Sequence, residues 1–402
     1  MTPEGLLTQP PDPALVERVR WRLARAGEPP TADRVAAALR SEGGIRGDVE
    51  VLAVVTALGR ELSGAGPLAP LLADDGVTDV LVNGPDAVWV DRGHGLERAG
   101  VRFADEAAVE RLARRLAAQA GRRLDAAAPY VDARLPGGVR LHAVLPPIAP
   151  DGACVSLRVP PRRAFTMAQL LTVGAIHPTV DRALRAVVSA RLAFLVSGGT
   201  GAGKTTLLST LLGLADSDER LVLVEDSAEL RPEHPHVVRL EARPPNLEGA
   251  GAVTLRDLVR QALRMRPDRL VVGEVRGGEA VDLLAALNTG HDGGCGTIHA
   301  NRPEDVPARL EALAAMGGTG RLALHSQLAA ALDAVLHIVR DRDGRRVSSI
   351  GVCVPSASGT VRVLPALVVD PSGVSVGPGA PILRERLAVA GASPTVLSAI
   401  EP

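Results

Sequence analysis

Residues 198–205 read GGTGAGKT, follow the apolar run LAFLV and lead into the helical pattern KTTLLSTLLG. A strand that ends in GxxxxGKT and opens a helix is a phosphate-binding loop, and no other stretch constrains the fold as much. Backbone N–H groups at Gly198, Gly199, Gly201 and Gly203, with Thr200 and Ala202 between them, are free to curl round phosphate oxygens, and the helix N-terminus adds its positive end. Lys204 places a mobile ammonium near the β and γ phosphates. Thr205 is the expected Mg2+ ligand, Thr206 continues the same turn, and ATP with Mg2+ is the expected cofactor pair. Lys204 is also the only lysine among 45 basic residues, the rest being arginine. The abundance of Arg, Ala, Gly and Pro fits GC-rich coding. A lysine retained against that bias points to a task that a compact ammonium performs and a planar guanidinium does not.

The texture along the 402 residues divides the chain, for which a prior of roughly one domain per 150 residues gives two or three. Residues 1–65 read as a helical lead-in, since ALVERVRWRLARAG, TADRVAAALRSEG and VEVLAVVTALGRELSG space apolar positions three and four apart and end at glycine. Residues 66–160 alternate short β-like runs with one amphipathic helix, EAAVERLARRLAAQAG, and read as an α+β domain. Residues 161–180 are proline-rich and read as a linker with one short helix. From 181 to 402 strand and helix patterns alternate (LAFLV, KTTLLSTLLGLA, RLVLVED, LRDLVRQALRM, RLVVGEV, AVDLLAALNTG, CGTIHAN), which predicts an α/β domain with a mostly parallel sheet, followed by a C-terminal extension of weaker strands and a short helix.

Two strand patterns end in acid. LVLVEDSAEL carries Glu225, Asp226 and Glu229, and RLVVGEVRGGEA carries Glu274. Ligands of open α/β sheets bind at the carboxyl ends of the strands, so these groups belong beside the loop. Two acidic tasks exist there: holding Mg2+ through water and orienting or deprotonating the attacking water. The stretch NTGHDGGCGTIHAN adds His291 and His299 in a Gly-rich loop and strand, placed to sense the γ-phosphate or to link subunits, although a lone histidine is more often structural. LSGAG at Leu62–Gly66 resembles the signature of ABC transporter ATPases, but it lies upstream of the loop instead of downstream and reads as a helix end.

Composition removes other classes. Forty-five basic against 46 acidic residues give a net charge of -1, and two Trp, one Tyr and three Phe leave little for base stacking, so nucleic acid is not an expected partner. Cys154, Cys295 and Cys353 stand apart without a CxxC pair, so neither a disulfide framework nor a zinc site is expected. No apolar run approaches the roughly 18 residues of a membrane span, and the N-terminus lacks the basic, apolar and small-residue pattern of a secretory signal. The expected location is cytoplasmic.

Together, GGTGAGKTT, VEDSAEL, RPPNLEGAGAVTLRDLVRQALRMRPDRLVVGEVRGGEA and NTGHDGGCGTIHAN resemble the type II/type IV secretion ATPase superfamily, most closely its CpaF-type branch of Tad pilus-assembly ATPases, over about Gly66 to Arg340. GPLAPLLADDGVTDVLVNGPDAVWVDR and YVDARLPGGVRLHAVLPP also resemble that branch's N-terminal domain. The resemblance implies a RecA-like ATPase domain behind a smaller α+β domain. It also implies that Glu229 is the catalytic glutamate, that Glu274 is the Walker B glutamate helping to hold Mg2+, and that His291 and His299 form the His box. Arg140 and Arg158 match positions where family members supply arginines to nucleotide at a domain or subunit boundary. His142 departs from the Asn that relatives often carry. The implied assembly is a homo-hexamer on the inner face of the cytoplasmic membrane, acting on inner-membrane platform proteins to assemble a pilus or secrete protein. Two rivals stand beside this reading: a RecA- or helicase-type nucleic-acid motor, and a scaffold that binds ATP without productive turnover.

Overall fold

Alternating apolar residues with a period of two form strands with one covered face, whereas unbroken apolar runs form strands covered on both. The chain uses both kinds, in separate places. A computed structural model describes residues 13–26, 32–41, 54, 64–160, 164–243, 245, 250–341, 344–370, 372–392 and 397. They fall into two units, Met1–Arg162 and Arg163–Pro402.

The first unit begins with helices Pro13–Ala26 and Ala32–Ser41, which bury Leu15, Val19, Leu23, Val35 and Leu39 together. The third expected lead-in helix, over 49–64, lies outside the described residues except at Val54 and Gly64. Then come β1 (Asp79–Val82), β2 (Val88–Asp91), β3 (Leu96–Arg98), β4 (Tyr130–Arg134), β5 (Arg140–Val144) and β6 (Cys154–Arg158). They form a six-stranded antiparallel sheet in the order β3-β2-β1-β6-β5-β4. Helix Glu106–Gln119, capped by the Asp105 carboxylate on the Ala108 N–H, sets Val109, Leu112, Ala113 and Leu116 along one stripe. That stripe meets the alternate residues Val80, Val82, Val90, Leu141, Ala143, Val155 and Leu157 of the sheet.

The second unit holds β7 (Phe194–Gly198), β8 (Leu221–Glu225), β9 (Val237–Glu241), β10 (Arg269–Val275), β11 (Cys295–His299), β12 (Ala334–Asp341), β13 (Gly344–Pro355), β14 (Val361–Asp370) and β15 (Gly373–Val376). The nine strands run in the order β15-β14-β13-β12-β7-β11-β10-β8-β9. From β12 through β9 every pairing is parallel, and from β12 to β15 every pairing is antiparallel. The mostly parallel α/β sheet read from the sequence is therefore present, and the weak C-terminal strands extend it as a meander. Its strands divide by parity. Phe194, Val196, Leu221, Leu223, Val271, Cys295 and Leu336 pack on one face with helices Pro178–Ser189, Lys204–Leu212 and Ala380–Val389. Leu195, Val222, Val224, Leu270, Val272, Ile298 and Val335 pack on the other with helices Leu255–Ala262, Glu279–Leu287, Val306–Met316 and Arg321–Ala331.

Residues 164–180, read as linker, belong to this core. Helix Met167–Thr172 is capped reciprocally by Thr166 and Gln169, and it buries Met167 and Leu170. Cys295 and Cys353 are buried among apolar side chains that push both thiols up to about 12, so they act as small packed residues. At the amino end of β10 the buried Arg269 pairs with Glu219 and donates to the Val188 carbonyl at 2.8 Å, fastening strand starts together on the side away from the loop. Among the described residues no helix is long and apolar enough to cross a membrane.

Candidate nucleotide site

The glycine-rich loop leaves the carboxyl end of β7 between β11 and β12. Gly198 is required by space, since a Cβ there would stand 2.3 Å from the Ile338 carbonyl oxygen of β12. Gly203 is required by conformation: it precedes helix Lys204–Leu212 at φ 101°, in the left-handed region that favours glycine. The loop therefore lies tightly against its neighbouring strand, with backbone amides at a buried helix start. Beneath it Ser197 and His337 share a buried hydrogen bond of 2.8 Å, and burial holds the His337 ring below the usual histidine pKa.

Lys204 is 7% exposed, and its Nζ donates to the carbonyls of Gly198 at 3.0 Å and Gly199 at 2.9 Å. Burial lowers its pKa from the ordinary lysine value, against the pull of the Glu274 charge. The ammonium also faces Nδ1 of His299 at 3.4 Å, while Nε2 of His299 lies 2.9 Å from a Glu274 carboxylate oxygen. A neutral ring that accepts at Nδ1 and donates from Nε2 satisfies both contacts. Burial, and then the Lys204 charge, lower the His299 pKa and favour that neutral form.

The line continues through a residue that the motifs did not flag. Arg276 pairs with Glu274 and also reaches Asp226 at 3.3 Å, joining the end of β10 to the turn after β8. Burial works against its charge, but Glu274, Asp226 and Glu229 outweigh that and hold the guanidinium above its ordinary pKa. Lys204, His299, Glu274, Arg276 and Asp226 thus form a run of alternating partners across the carboxyl ends of β7, β11, β10 and β8. Glu229 adds its charge at the far end. A cation two residues after a strand-ending glutamate was the available signal for Arg276.

The three acids of LVLVEDSAEL separate by environment. Glu225 is 3% exposed, and one of its carboxylate oxygens accepts from the N–H groups of Glu229 at 2.8 Å and Leu230 at 2.9 Å. Its other oxygen is buried without a hydrogen-bond partner. Burial pushes its pKa up to about 7 against those two bonds. A Cβ on Gly273 would stand 2.6 Å from Glu225 Cγ, so Gly273 makes the room for this side chain. Glu225 therefore shapes the turn that carries Glu229, which is anchored further by the Arg231 N–H on Ser209 of the loop helix at 3.2 Å.

The remaining expected site residues lie on other elements. His291 precedes β11 and bonds the Ala286 carbonyl at 3.2 Å, whereas His299 closes β11, so the two histidines occupy opposite ends of one strand. Within one chain His291 does not join the phosphate loop. Arg140 and Arg158 are cross-strand partners in the first unit, in a row that runs Asp91, Asp79, Arg158, Arg140, Arg134. Arg158 pairs with Asp79 at 3.2 Å. His142 bonds Asp132 at 2.8 Å on the same face.

No cluster of three or more His, Cys, Asp or Glu able to hold a metal exists among the described residues. Mg2+ does not need such a cluster, since it keeps several waters and takes further oxygens from substrate phosphates.

The sequence matches the family described as type II/IV secretion system protein over residues 61–360. It is similar to a putative conjugal transfer protein of Mycobacterium tuberculosis, 60% identical over 324 residues that cover 79% of this chain and 92% of that one. It is also similar to the conjugal transfer protein TrbB of Rhizobium radiobacter, 33% identical over 70% of this chain and 85% of the relative. Among solved structures, the Legionella pneumophila ATPase DotB shares the fold, with a TM-score of 0.50 and 19% identity across 83% of this chain and 85% of that one. A phosphate loop backed by acidic strand ends, and a match over most of the length, agree: the chain belongs to the type II/IV secretion system protein family.

Proposed function

We propose that this chain is a secretion ATPase that hydrolyses Mg-ATP as a homo-hexamer at the inner face of the cytoplasmic membrane, driving assembly of a Tad-type pilus or export of protein through inner-membrane platform proteins. The observation that carries the reading is the run Lys204, His299, Glu274, Arg276, Asp226 along the strand ends beside the glycine loop. Lys204 binds phosphate oxygens and exchanges the two loop carbonyls for them. Glu229 accepts a proton from the attacking water. Thr205 and Glu274 hold Mg2+, which supplies positive charge to the phosphoryl oxygens. His299, neutral and bonded on both sides, holds Glu274 in orientation and relays the position of Lys204 to it. His291, at the other end of β11, links subunits instead of touching phosphate. Arg140 and Arg158 supply positive charge to nucleotide in the assembled ring, which makes turnover depend on assembly.

Steady-state phosphate release measured together with sedimentation tests the proposal. Expected are a hexamer in Mg-ATP, turnover that rises with assembly, and loss of about 100-fold or more in Glu229→Gln, on the scale of removing one transition-state contact. A chain that stays monomeric with Mg-ATP and releases no phosphate under any assembly condition overturns it. Stimulation many-fold by single-stranded DNA, with no response to platform protein, reverses the assignment in favour of a nucleic-acid motor.

A further inference from the structure

The catalytic side chains give the site a direction. Lys204, His299 and Glu274 stand on the β11 and β10 side of the loop, so the γ end of a nucleotide lies there. A triphosphate threaded through the loop leaves its nucleoside on the opposite side, over β12. The arms of the β12–β13 hairpin occupy that side, and Arg340 and Arg345 are cross-strand partners on them. Nε of Arg345 donates to the Gly201 carbonyl of the loop at 2.9 Å. Its Cδ lies 3.3 Å from where a Cβ on Gly203 would stand, and Nη1 of Arg340 lies 3.6 Å from where one on Gly201 would stand. Both arginines are exposed, so neither fills the core.

A purine needs a flat surface, and this chain has few. Of its three Phe, two Trp and one Tyr, only Phe165 and Phe194 belong to the second unit. Phe194 is 1% exposed inside the sheet. Phe165 meets the loop helix at Thr210, whose hydroxyl donates to the Phe165 carbonyl, roughly 9 Å along the axis from Lys204 at 1.5 Å per residue. The His299 ring faces the Lys204 side of the loop, whereas on the β12 side the guanidinium groups of Arg340 and Arg345 supply planar surfaces, and arginine stacks on aromatic rings where lysine offers only a point charge.

We propose that Arg345, pinned through Nε to Gly201, lays its guanidinium flat against the purine base of the bound nucleotide, with Arg340 closing the same side. The inference rests on the reading of residues 198–205 as a nucleotide loop, and its test separates the two. Equilibrium binding is measured for ADP and for inorganic tripolyphosphate, which fills the loop but carries no base. Arg345→Ala is expected to weaken ADP about tenfold and tripolyphosphate less than about twofold, with Arg340→Ala weakening ADP about threefold, the range of one to two lost cation–π contacts. Arg345→Lys keeps the charge and covers the case in which the alanine variant does not fold; it should retain tripolyphosphate and lose part of the preference for ADP. Equal losses for both ligands, an unchanged ADP affinity, or a Phe165→Ala variant that alone abolishes the ADP preference overturns the proposal. Wild-type protein that binds neither ligand sinks the loop reading itself.

Discussion

The two sheets handle charge in opposite ways. In the second unit the central strands β7, β8, β10 and β11 are covered on both faces, and their charge stands at the strand ends, paired tightly, as Arg269 with Glu219, or gathered into the run from Lys204 to Asp226. In the first unit one face is covered by a helix, and the other carries the row Asp91, Asp79, Arg158, Arg140, Arg134 across the strands. A parallel sheet thus concentrates its chemistry at one edge, and a half-covered antiparallel sheet spreads it over a face. The same residue types, arginine opposite carboxylate, should therefore have very different energetic weight in the two places.

Glu219→Ala tests the buried extreme. It leaves Arg269, 1% exposed, with carbonyls but no counter-charge, and should cost about 3–5 kcal/mol in urea unfolding of the second unit. Phosphate release at a permissive temperature should persist, because this pair lies at the opposite strand ends from the loop. A cost below about 1 kcal/mol would make the pair equivalent to a surface one. Lys204→Arg tests the functional edge. Charge is kept, but the fork does not fit where Nζ reaches two loop carbonyls and His299, and turnover should fall about 100-fold or more while unfolding changes little. Near-normal turnover removes the argument that only an ammonium serves there.

How much of this was legible depended on sequence distance. The phosphate loop was readable because its chemistry is local: glycine spacing, one lysine and the flanking patterns all fall within twenty or so residues, a span over which backbone geometry follows directly from the pattern. Glu274 and His299 were readable as strand ends. Arg276 was not, because its significance comes from Asp226 in the turn after β8, fifty residues earlier, and strand order is not written in either segment. Glu225 and Asp226 were indistinguishable for a related reason. In a strand buried on both faces, an unbroken apolar run gives no parity to say that Glu225 points inward while Asp226 meets Arg276. Arg345 escaped notice because its partner Gly201 lies across a parallel pairing and a hairpin. His291 and His299 read as one Gly-rich loop and strand, yet the strand between them carries them to opposite ends.

Glu225 lies between the extremes, a buried acid at a functional edge. Its pKa of about 7 in the fold stands above the ordinary glutamate value of 4.5, so its contribution is fully present below about pH 4.5 and is lost as pH rises through 7. Between pH 5 and pH 7 this one group should remove about 2 kcal/mol of stability. Glu225→Gln keeps an acceptor for the Glu229 and Leu230 N–H groups but cannot ionise, so its unfolding curve should be flatter over that range. Parallel pH dependences for variant and wild type would assign the titration to another group.

Asp79→Ala, the exposed counterpart of Glu219→Ala, closes the comparison with the smallest effect. Arg158 keeps 65% of its side-chain surface exposed in its pair with Asp79. Solvent screens such a pair, so losing the carboxylate should change stability by less than about 1 kcal/mol, and added salt should shrink even that difference. The sharper readout is turnover. If Arg158 is present on that face to meet nucleotide in the assembled ring, Arg158→Ala should depress phosphate release far more than Asp79→Ala, although the two variants break the same ion pair. Equal effects from the two would mean that the row serves the sheet alone. A stability loss above about 2 kcal/mol from Asp79→Ala would mean that the open face carries buried-type energetics, and the contrast between the two sheets would fail.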